Sequence, residues 1–196
     1  RAKGKEAQAE MVRNIIPAGV ECIFVRQAEQ LGLGHAVLCA ERAVGGDAFT
    51  VLLADDFLTD YEPGVTADLV QAFAASGKSQ LSVMEVDGPD ISKYGVVVPS
   101  VSGAGIAGLV EKPTASEAPS NLASIGRYVL TPDFFDTLRG LRAGSGGEIQ
   151  LADAINIHAQ SGSVEMVRLN GQRFDCGSVA GFMAASTHEF ASRGFC

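Results

Sequence analysis

The feature that most constrains the fold is a regular alternation of strand-length apolar runs and helix-like segments in the first half of the chain. Strands are predicted at ECIFV (21–25), FTVLLA (49–54) and QLSVMEV (80–86), with helices between them at 35–43 and 66–77. FTVLLA is apolar throughout, which is typical of a strand with both faces buried in a parallel sheet. The alternation predicts an α/β fold with a mostly parallel central sheet and helices on both faces.

The second half has a different pattern, because three strand-like runs follow one another with glycine-bearing turns and no helix between them. These runs are YGVVVPSV, GIAGLVEKP and LASIGRYVL, and they predict an antiparallel β extension of the sheet. The remaining predicted elements are helices at 3–14, 132–142, 148–161 and from about 178, and a strand at 164–169. With neither a repeat nor a linker, residues 1–196 are expected to form a single domain.

Composition excludes several classes of function. The chain has 196 residues, 46% of them apolar and 19% charged, which is typical of a globular protein. A net charge of −8 without a basic cluster argues against nucleic-acid binding. No apolar run reaches the roughly 20 residues that a membrane span requires.

The four cysteines lie far apart and include no CxxC pair, which argues against a zinc ribbon and against a dense disulfide framework. Cys22 and Cys39 fall in apolar segments and are expected to be small core residues. Cys176 and Cys196 lie near the end of the sequence. This usage predicts a reduced, cytoplasmic protein.

GAGIAG (103–108) matches the glycine pattern of dinucleotide-binding loops. That mechanism requires a helix to begin at the motif, so that its N-terminus faces the pyrophosphate. The residues that follow, LVEKP, are too few before the proline to form a helix. The motif is therefore interpreted as a hairpin turn.

Three carboxylates follow predicted strands, where α/β sheets bind their ligands. Asp55 and Asp56 end the run VLLADD, and Asp175 lies in RFDCGS. Carboxylates at such positions bind Mg²⁺ together with substrate phosphates, but a helix cap or turn aspartate is the simpler interpretation of each one alone. In EKP, similarly, Glu111 could accept sugar hydroxyls and Lys112 could neutralise phosphate, or the two could form an exposed ion pair.

The three histidines form no cluster. His35 begins the helix after GLG, whereas His158 and His188 are expected on solvent-exposed helix faces. None has a recognisable serine or cysteine nucleophile beside it, so nucleophilic catalysis is disfavoured.

Six motifs, taken in chain order over about residues 20–183, resemble those of one protein family. They are RQ…GLGHAVLCA, LLADDF, KYGVV, VEKP…APSNLASIGRYVL, GGEIQLADAI and FDCG. Together they resemble the bacterial UTP–glucose-1-phosphate uridylyltransferases, also called UDP-glucose pyrophosphorylases. The resemblance implies a Rossmann-like nucleotide-diphospho-sugar transferase fold and a cytoplasmic homo-oligomer.

The resemblance also implies the substrate contacts. Gln27 and Gly32 would contact the uracil, and the absence of a side chain at Gly32 would let its backbone lie against the base edge. Gly95 would contact glucose, Glu111 would hold sugar hydroxyls, and Gly126 would lie beside the sugar pocket.

The implied reaction joins UTP and glucose-1-phosphate into UDP-glucose and releases pyrophosphate. Lys112 would face the phosphates as a catalytic residue. Asp55, rather than Asp56, would be both catalytic and a Mg²⁺ ligand, and Asp175 would be the second metal carboxylate.

The sequence departs from the family pattern at three places. It has no glycine-rich GxGTRxLP…K loop, and it stops early at HEFASRGFC. It is therefore expected to be N- and C-terminally incomplete, with strands absent from the sheet and unpaired edges exposed. Gln172 replaces a lysine common in the family, and Arg173 is expected to restore the charge. Two alternatives stay open: a non-catalytic nucleotide-sugar-binding fragment, and another sugar-1-phosphate nucleotidyltransferase such as a thymidylyltransferase, against which GLGHA and APSNLA argue.

Overall fold

The computed structural model describes residues 4–101 and 103–194. Within them the α-helices are α1 (Glu6–Arg13), α2 (Leu33–Cys39), α3 (Glu41–Val44), α4 (Val65–Ser76), α5 (Phe134–Gly140), α6 (Leu151–Gln160) and α7 (Val179–Ser192). The strands are β1 (Phe49–Leu52), β2 (Asp56–Thr59), β3 (Ser79–Glu85), β4 (Gly95–Pro99), β5 (Ile106–Glu111), β6 (Leu122–Leu130), β7 (Val164–Arg168) and β8 (Gln172–Asp175). No described helix is both long enough and apolar enough to cross a membrane.

The main sheet is built around β6. Its strand order is β5-β4-β6-β3-β7, and β1 also pairs with β6. Strands β1, β3, β4 and β7 run in one direction, but β6 runs against its three neighbours, so that the described parallel ladder is β3–β7. The predicted α/β class is confirmed. Of the predicted parallel strands, β1 and β3 share a direction but are separated by β6, and four of the five described ladders of the main sheet are antiparallel.

The two sides of β6 are paired differently, and this difference creates an opening in the sheet. One side is bonded along its length to β3, so β1 and β4 must share the other side. Leu52 pairs with Arg127 and Val96 pairs with Ala123, which leaves the end of β1 and the start of β4 facing each other across the middle of β6. On this side the middle of β6 has no strand partner among the described residues, and a ligand can reach the sheet there.

Helices cover both faces of the main sheet. The large core lies between one face and α2, α5 and α6, and it contains Leu81, Val83, Phe134, Leu138 and Ile155. On the other face α4 packs on β3, β6 and β7. Helix α4, predicted at 66–77, ends at Gly77 in the left-handed conformation, and its N-cap is Gly64.

A small second sheet, which the sequence analysis did not predict, pairs β2 with β8 in antiparallel register. Asp56 lies opposite Asp175, and α7 packs beside β8. Strands of four residues with mixed polarity have no clear two-residue period, so the sequence pattern missed both.

Three expectations near the start of the chain are wrong. The segment 21–25 forms no strand, and Phe24 is 94% exposed there. Cys22 is exposed rather than in the core. FTVLLA is not buried on both faces either, because β1 has a partner on one side only among the described residues, and Leu52 is 52% exposed. An apolar run forms a buried strand only when neighbouring strands cover it.

The GAGIAG motif is a turn between antiparallel strands, as predicted. Gly103 has φ +61°, Gly105 forms a β-bridge with Glu165, and β5 begins at Ile106. No helix begins at the described residues of the motif, so it lacks the dipole that a pyrophosphate site of this type requires.

His158 is buried at 8% exposure, not on a solvent-exposed face as expected. Its ring stacks on Phe134 with centroids 3.9 Å apart, and its Nε2 lies 2.9 Å from Thr137 Oγ1. Burial lowers the pKa of His158 below its usual 6.5, although the Asp133 carboxylate 3.7 Å away acts in the opposite direction.

This burial predicts a loss of stability in acid. As the pH falls below about 6.5, the unfolded state takes up a proton that folded His158 resists, so the free energy of unfolding decreases until the lowered folded pKa is passed. Chemical denaturation at pH 8, 6.5 and 5.5 should show this decrease. His158→Gln should have a smaller pH dependence than the unchanged chain. An equal slope in both proteins would contradict the assignment.

Candidate active site

A cleft of about 260 Å³ opens at the unpaired middle of β6. Its floor includes Ser124, Ile125 and Gly126, and the ends of β1 and β4 form its walls. The sequence-predicted residues that line it are Asp55, Gly95, Glu111, Gly126 and Asp175. The fold thus brings together residues that lie up to 120 positions apart in the chain.

Gly95 and Glu111 form one side of the cleft. They are directly opposite each other in the β4–β5 ladder, and a Cβ on Gly95 would lie 3.1 Å from Glu111 Oε2. The glycine therefore leaves room for the Glu111 carboxylate to lie across the strand. A half-exposed carboxylate in this position can accept hydrogen bonds from ligand hydroxyls.

Asp55 and Asp175 converge at the opposite side. An Asp55 Oδ2 and an Asp175 Oδ1 each lie 3.1 Å from the point where a Cβ on Gly177 would stand. Their backbones are joined as well, since Cys176 N donates to Asp55 O at 2.7 Å. The described residues contain no cluster of three or more potential metal ligands, so a cation here would need further oxygens from a ligand.

Asp56 has a different environment from Asp55. It is 5% exposed, and its Oδ2 accepts from Gly126 N at 2.5 Å while its Oδ1 accepts from Arg173 Nε at 2.6 Å. Burial lowers the pKa of the Arg173 guanidinium, but the hydrogen bond and charge of Asp56 outweigh this and raise the pKa above its usual value. Both Asp56 oxygens are engaged by protein donors, which leaves Asp55 as the carboxylate available to a ligand.

Gln27 and Gly32 lie beside the cleft rather than among its lining residues. Gln27 Nε2 donates to Gly32 O at 3.1 Å and lies 2.9 Å from His35 Nδ1. Gly32 has φ +92°, and a Cβ on it would lie 2.8 Å from Ile149 O. The backbone conformation at position 32 and the close packing against Ile149 thus explain why this residue is a glycine.

The GGEIQ segment holds the start of α2. Ile149 N donates to Leu31 O at 2.7 Å, and Gly34 N donates to Ile149 O at 2.9 Å. The next residues, Gln150 and Leu151, line the cleft. One short segment therefore contacts both the glycine-rich turn before α2 and the cleft.

Lys112 is not brought into the cleft wall. Its side chain is 65% exposed, and its Nζ lies 3.7 Å from Glu111 Oε1. Its backbone has φ +45°, an unusual value for a residue with a side chain, and Lys112 N donates to Tyr94 O at 3.0 Å. The exposed ion pair that EKP suggested is present, and the side chain is free to reorient.

Sequence reasoning did not single out Lys93, Tyr94, Tyr128 and Gln150, which also line the cleft. Burial raises the pKa of Tyr128, which keeps its hydroxyl protonated as a hydrogen-bond donor. All four stand in motifs already quoted, KYGVV, LASIGRYVL and GGEIQL, so their position beside predicted site residues was the available signal. The four carboxylates of the lining outnumber its two basic side chains, so a phosphate ligand requires added positive charge.

The fold is of the α/β class, with an acidic cleft at the middle of its main sheet. The chain belongs to the nucleotidyl transferase family, whose profile matches residues 2–191. Within that family it is similar to a UTP–glucose-1-phosphate uridylyltransferase of Pseudomonas aeruginosa, at 41% identity over 172 residues, which are 85% of this chain and 62% of that protein.

Two solved structures are similar over most of the chain. A UTP-bound UGPase from Acinetobacter baumannii matches with a TM-score of 0.86 and 36% identity over 96% of this chain and 66% of that one. A UDP-glucose pyrophosphorylase complexed with UDP-glucose matches with a TM-score of 0.82 and 38% identity over 87% of this chain and 66% of that one. The chain thus spans 62–66% of the length of these three proteins.

Proposed function

We propose that this chain carries the sugar and metal half of a UTP–glucose-1-phosphate uridylyltransferase, which forms UDP-glucose and pyrophosphate. The observation that supports this most is the convergence of Asp55, Gly95, Glu111, Gly126 and Asp175 in one cleft. The named activity of the Pseudomonas aeruginosa relative and the UDP-glucose complex of a structural neighbour support the same substrates.

The reaction needs positioning more than proton transfer. A phosphate oxygen of glucose-1-phosphate attacks the α-phosphorus of UTP in line, a new P–O bond forms, and the bond to the β-phosphate oxygen breaks to release pyrophosphate. The attacking phosphate is already ionised, so no general base is required. Glu111 and Gly95 orient the glucose, Gln27 and the turn at Gly32 hold the uracil, and Lys112 reaches the phosphates.

The residues present fit Mg²⁺. Asp55 and Asp175 offer hard carboxylate oxygens that converge on one point, and the remaining ligands of a hexacoordinate ion would come from phosphate and water. When bound, the ion neutralises negative charge on the reacting phosphates. This requirement agrees with the excess of carboxylates in the cleft.

Uridine specificity is the property that separates this proposal from a thymidylyltransferase. Gln27→Ala removes the side chain that holds Gly32 O, so UTP is expected to bind about tenfold more weakly. Competition of UDP-glucose binding by UTP, dTTP, CTP and ATP, in the unchanged chain and in Gln27→Ala, measures this. Gln8→Ala, in the exposed face of α1, is the control. A stronger competition by dTTP than by UTP would favour the thymidylyltransferase.

The second alternative is a nucleotide-sugar-binding fragment, which would bind UDP-glucose without turnover. Pyrophosphate release that requires both UTP and glucose-1-phosphate would exclude it.

We also propose a homo-oligomer in the cytoplasm, an assembly consistent with the exposed apolar residues of α7, Val179, Phe182, Met183 and Phe190. Light scattering of the purified chain tests the oligomeric state.

A further inference from the structure

We propose that the buried ion pair between Asp56 and Arg173 is a positioning element that sets the separation of the two candidate metal carboxylates, Asp55 and Asp175. The inference rests on the proposed function and adds two residues to it. Neither residue contacts the reacting atoms in this proposal; both act through their neighbours.

Asp56 on β2 and Arg173 on β8 are connected to β6 and to the segment that follows β1. The Asp56 carboxylate binds Gly126 N in the middle of β6 and the guanidinium of Arg173 on β8. The Asp56 carbonyl accepts from an Arg127 Nη at 2.6 Å, and a second Arg127 Nη donates to Leu53 O at 2.9 Å, just after β1. The small sheet is thereby fixed to the main sheet at the cleft.

Each candidate metal carboxylate is a direct neighbour of Asp56, either along the chain or across the β2–β8 ladder. Asp55 precedes Asp56 in the chain, and Asp175 lies opposite Asp56 in the β2–β8 ladder. Arg173 and Asp175 are two residues apart on β8, and side chains with that spacing lie on the same face of a strand. Any movement of Asp56 or Arg173 is therefore transmitted to Asp55 and Asp175 through one peptide or one ladder pair.

The pair also keeps the charges of the cleft separate. Arg173 is 11% exposed in its side chain and stays within the cleft wall, with an Nη 3.2 Å from the Tyr94 hydroxyl. Bound to Asp56, the guanidinium is not free to pair with Asp55 or Asp175. Asp175 Oδ1 accepts from Gly177 N at 3.1 Å, which leaves Asp175 Oδ2 and the Asp55 carboxylate for a cation. Buried ion pairs often contribute no more stability than a well-packed apolar pair, which favours a role in positioning over a role in stability alone.

The test measures UDP-glucose binding by calorimetry with and without Mg²⁺, together with the thermal midpoint of each protein. Asp56→Asn removes the charge and places a donor opposite either Arg173 Nε or Gly126 N. Arg173→Lys keeps the charge and removes the two-nitrogen contact. Arg139→Lys, in an exposed ion pair with Glu41 and Asp136 at the end of α5, is the matched control.

In the unchanged chain Mg²⁺ should strengthen UDP-glucose binding. The ratio of the affinity with Mg²⁺ to the affinity without it should fall by about tenfold or more in Asp56→Asn and Arg173→Lys, as it does for changes behind metal ligands, whatever the change in binding without Mg²⁺. Arg139→Lys should change neither. Arg173→Lys decides the outcome should Asp56→Asn not fold.

Folded variants with a lower thermal midpoint but an unchanged effect of Mg²⁺ would overturn the inference and leave the pair as a stabilising contact. If the unchanged chain binds no UDP-glucose with or without Mg²⁺, the proposed function is wrong, and this inference is wrong with it.

Discussion

Asp55→Ala is expected to reduce Mg²⁺-dependent formation of UDP-glucose by about 10²- to 10³-fold. Asp55 is the carboxylate at the end of β1 that protein donors leave available to a cation, whereas both oxygens of Asp56 are engaged. Pyrophosphate release from UTP and glucose-1-phosphate, measured over a range of Mg²⁺ concentrations, gives the effect.

Asp47→Ala is the matched control, because Asp47 is an exposed aspartate just before the same strand. It should leave the rate unchanged. A loss of activity in Asp55→Ala that is no larger than in the control would remove Asp55 from the site. A loss that excess Mg²⁺ restores would assign Asp55 to metal affinity alone.

Gly126→Ala is expected to destabilise the chain by about 1–3 kcal/mol and to weaken UDP-glucose binding at least about tenfold. A Cβ at this position would lie 2.6 Å from Leu53 Cβ and 2.7 Å from Asp56 Oδ2. Both neighbours are held, so the floor of the cleft must move to make room. Chemical denaturation and calorimetry measure the two effects.

Gly46→Ala serves as the control for this substitution. Gly46 follows α3, and a Cβ there would meet no atom within 4 Å. The free energy of unfolding of Gly46→Ala should stay within about 0.5 kcal/mol of that of the unchanged chain. Equal effects of the two substitutions would mean that the close contacts at Gly126 are relieved at no cost.

The sequence predicted those elements whose pattern is satisfied locally. Helix α4 has its apolar period and its C-terminal glycine within one segment, and the antiparallel strands β4, β5 and β6 are separated by recognisable turns. The segment 21–25 has the composition of a strand but makes no ladder in this structure, because a strand depends on partners elsewhere in the chain. Strands β2 and β8 were missed for the complementary reason: their pairing comes from tertiary register, not from their own pattern.

The residues of the candidate site likewise divide into those that sequence motifs indicate and those that only the fold brings together. Asp55 and Asp175 were identifiable as polar residues after strands, and Gly95 and Glu111 through the motifs that contain them. The Asp56–Arg173 pair joins residues 117 positions apart, and no spacing rule predicts it. Arg173 was expected to restore a charge for the substrate, but its guanidinium binds Asp56, so the cleft gains less positive charge than the sequence suggests.

The measurement that tests the central claim most directly is a calorimetric titration of this 196-residue chain with UDP-glucose in the presence of Mg²⁺. We expect saturable binding to one site per chain, weakened in Asp55→Ala and displaced by UTP. A folded chain that shows no binding would contradict the assignment of the cleft as a UDP-glucose site.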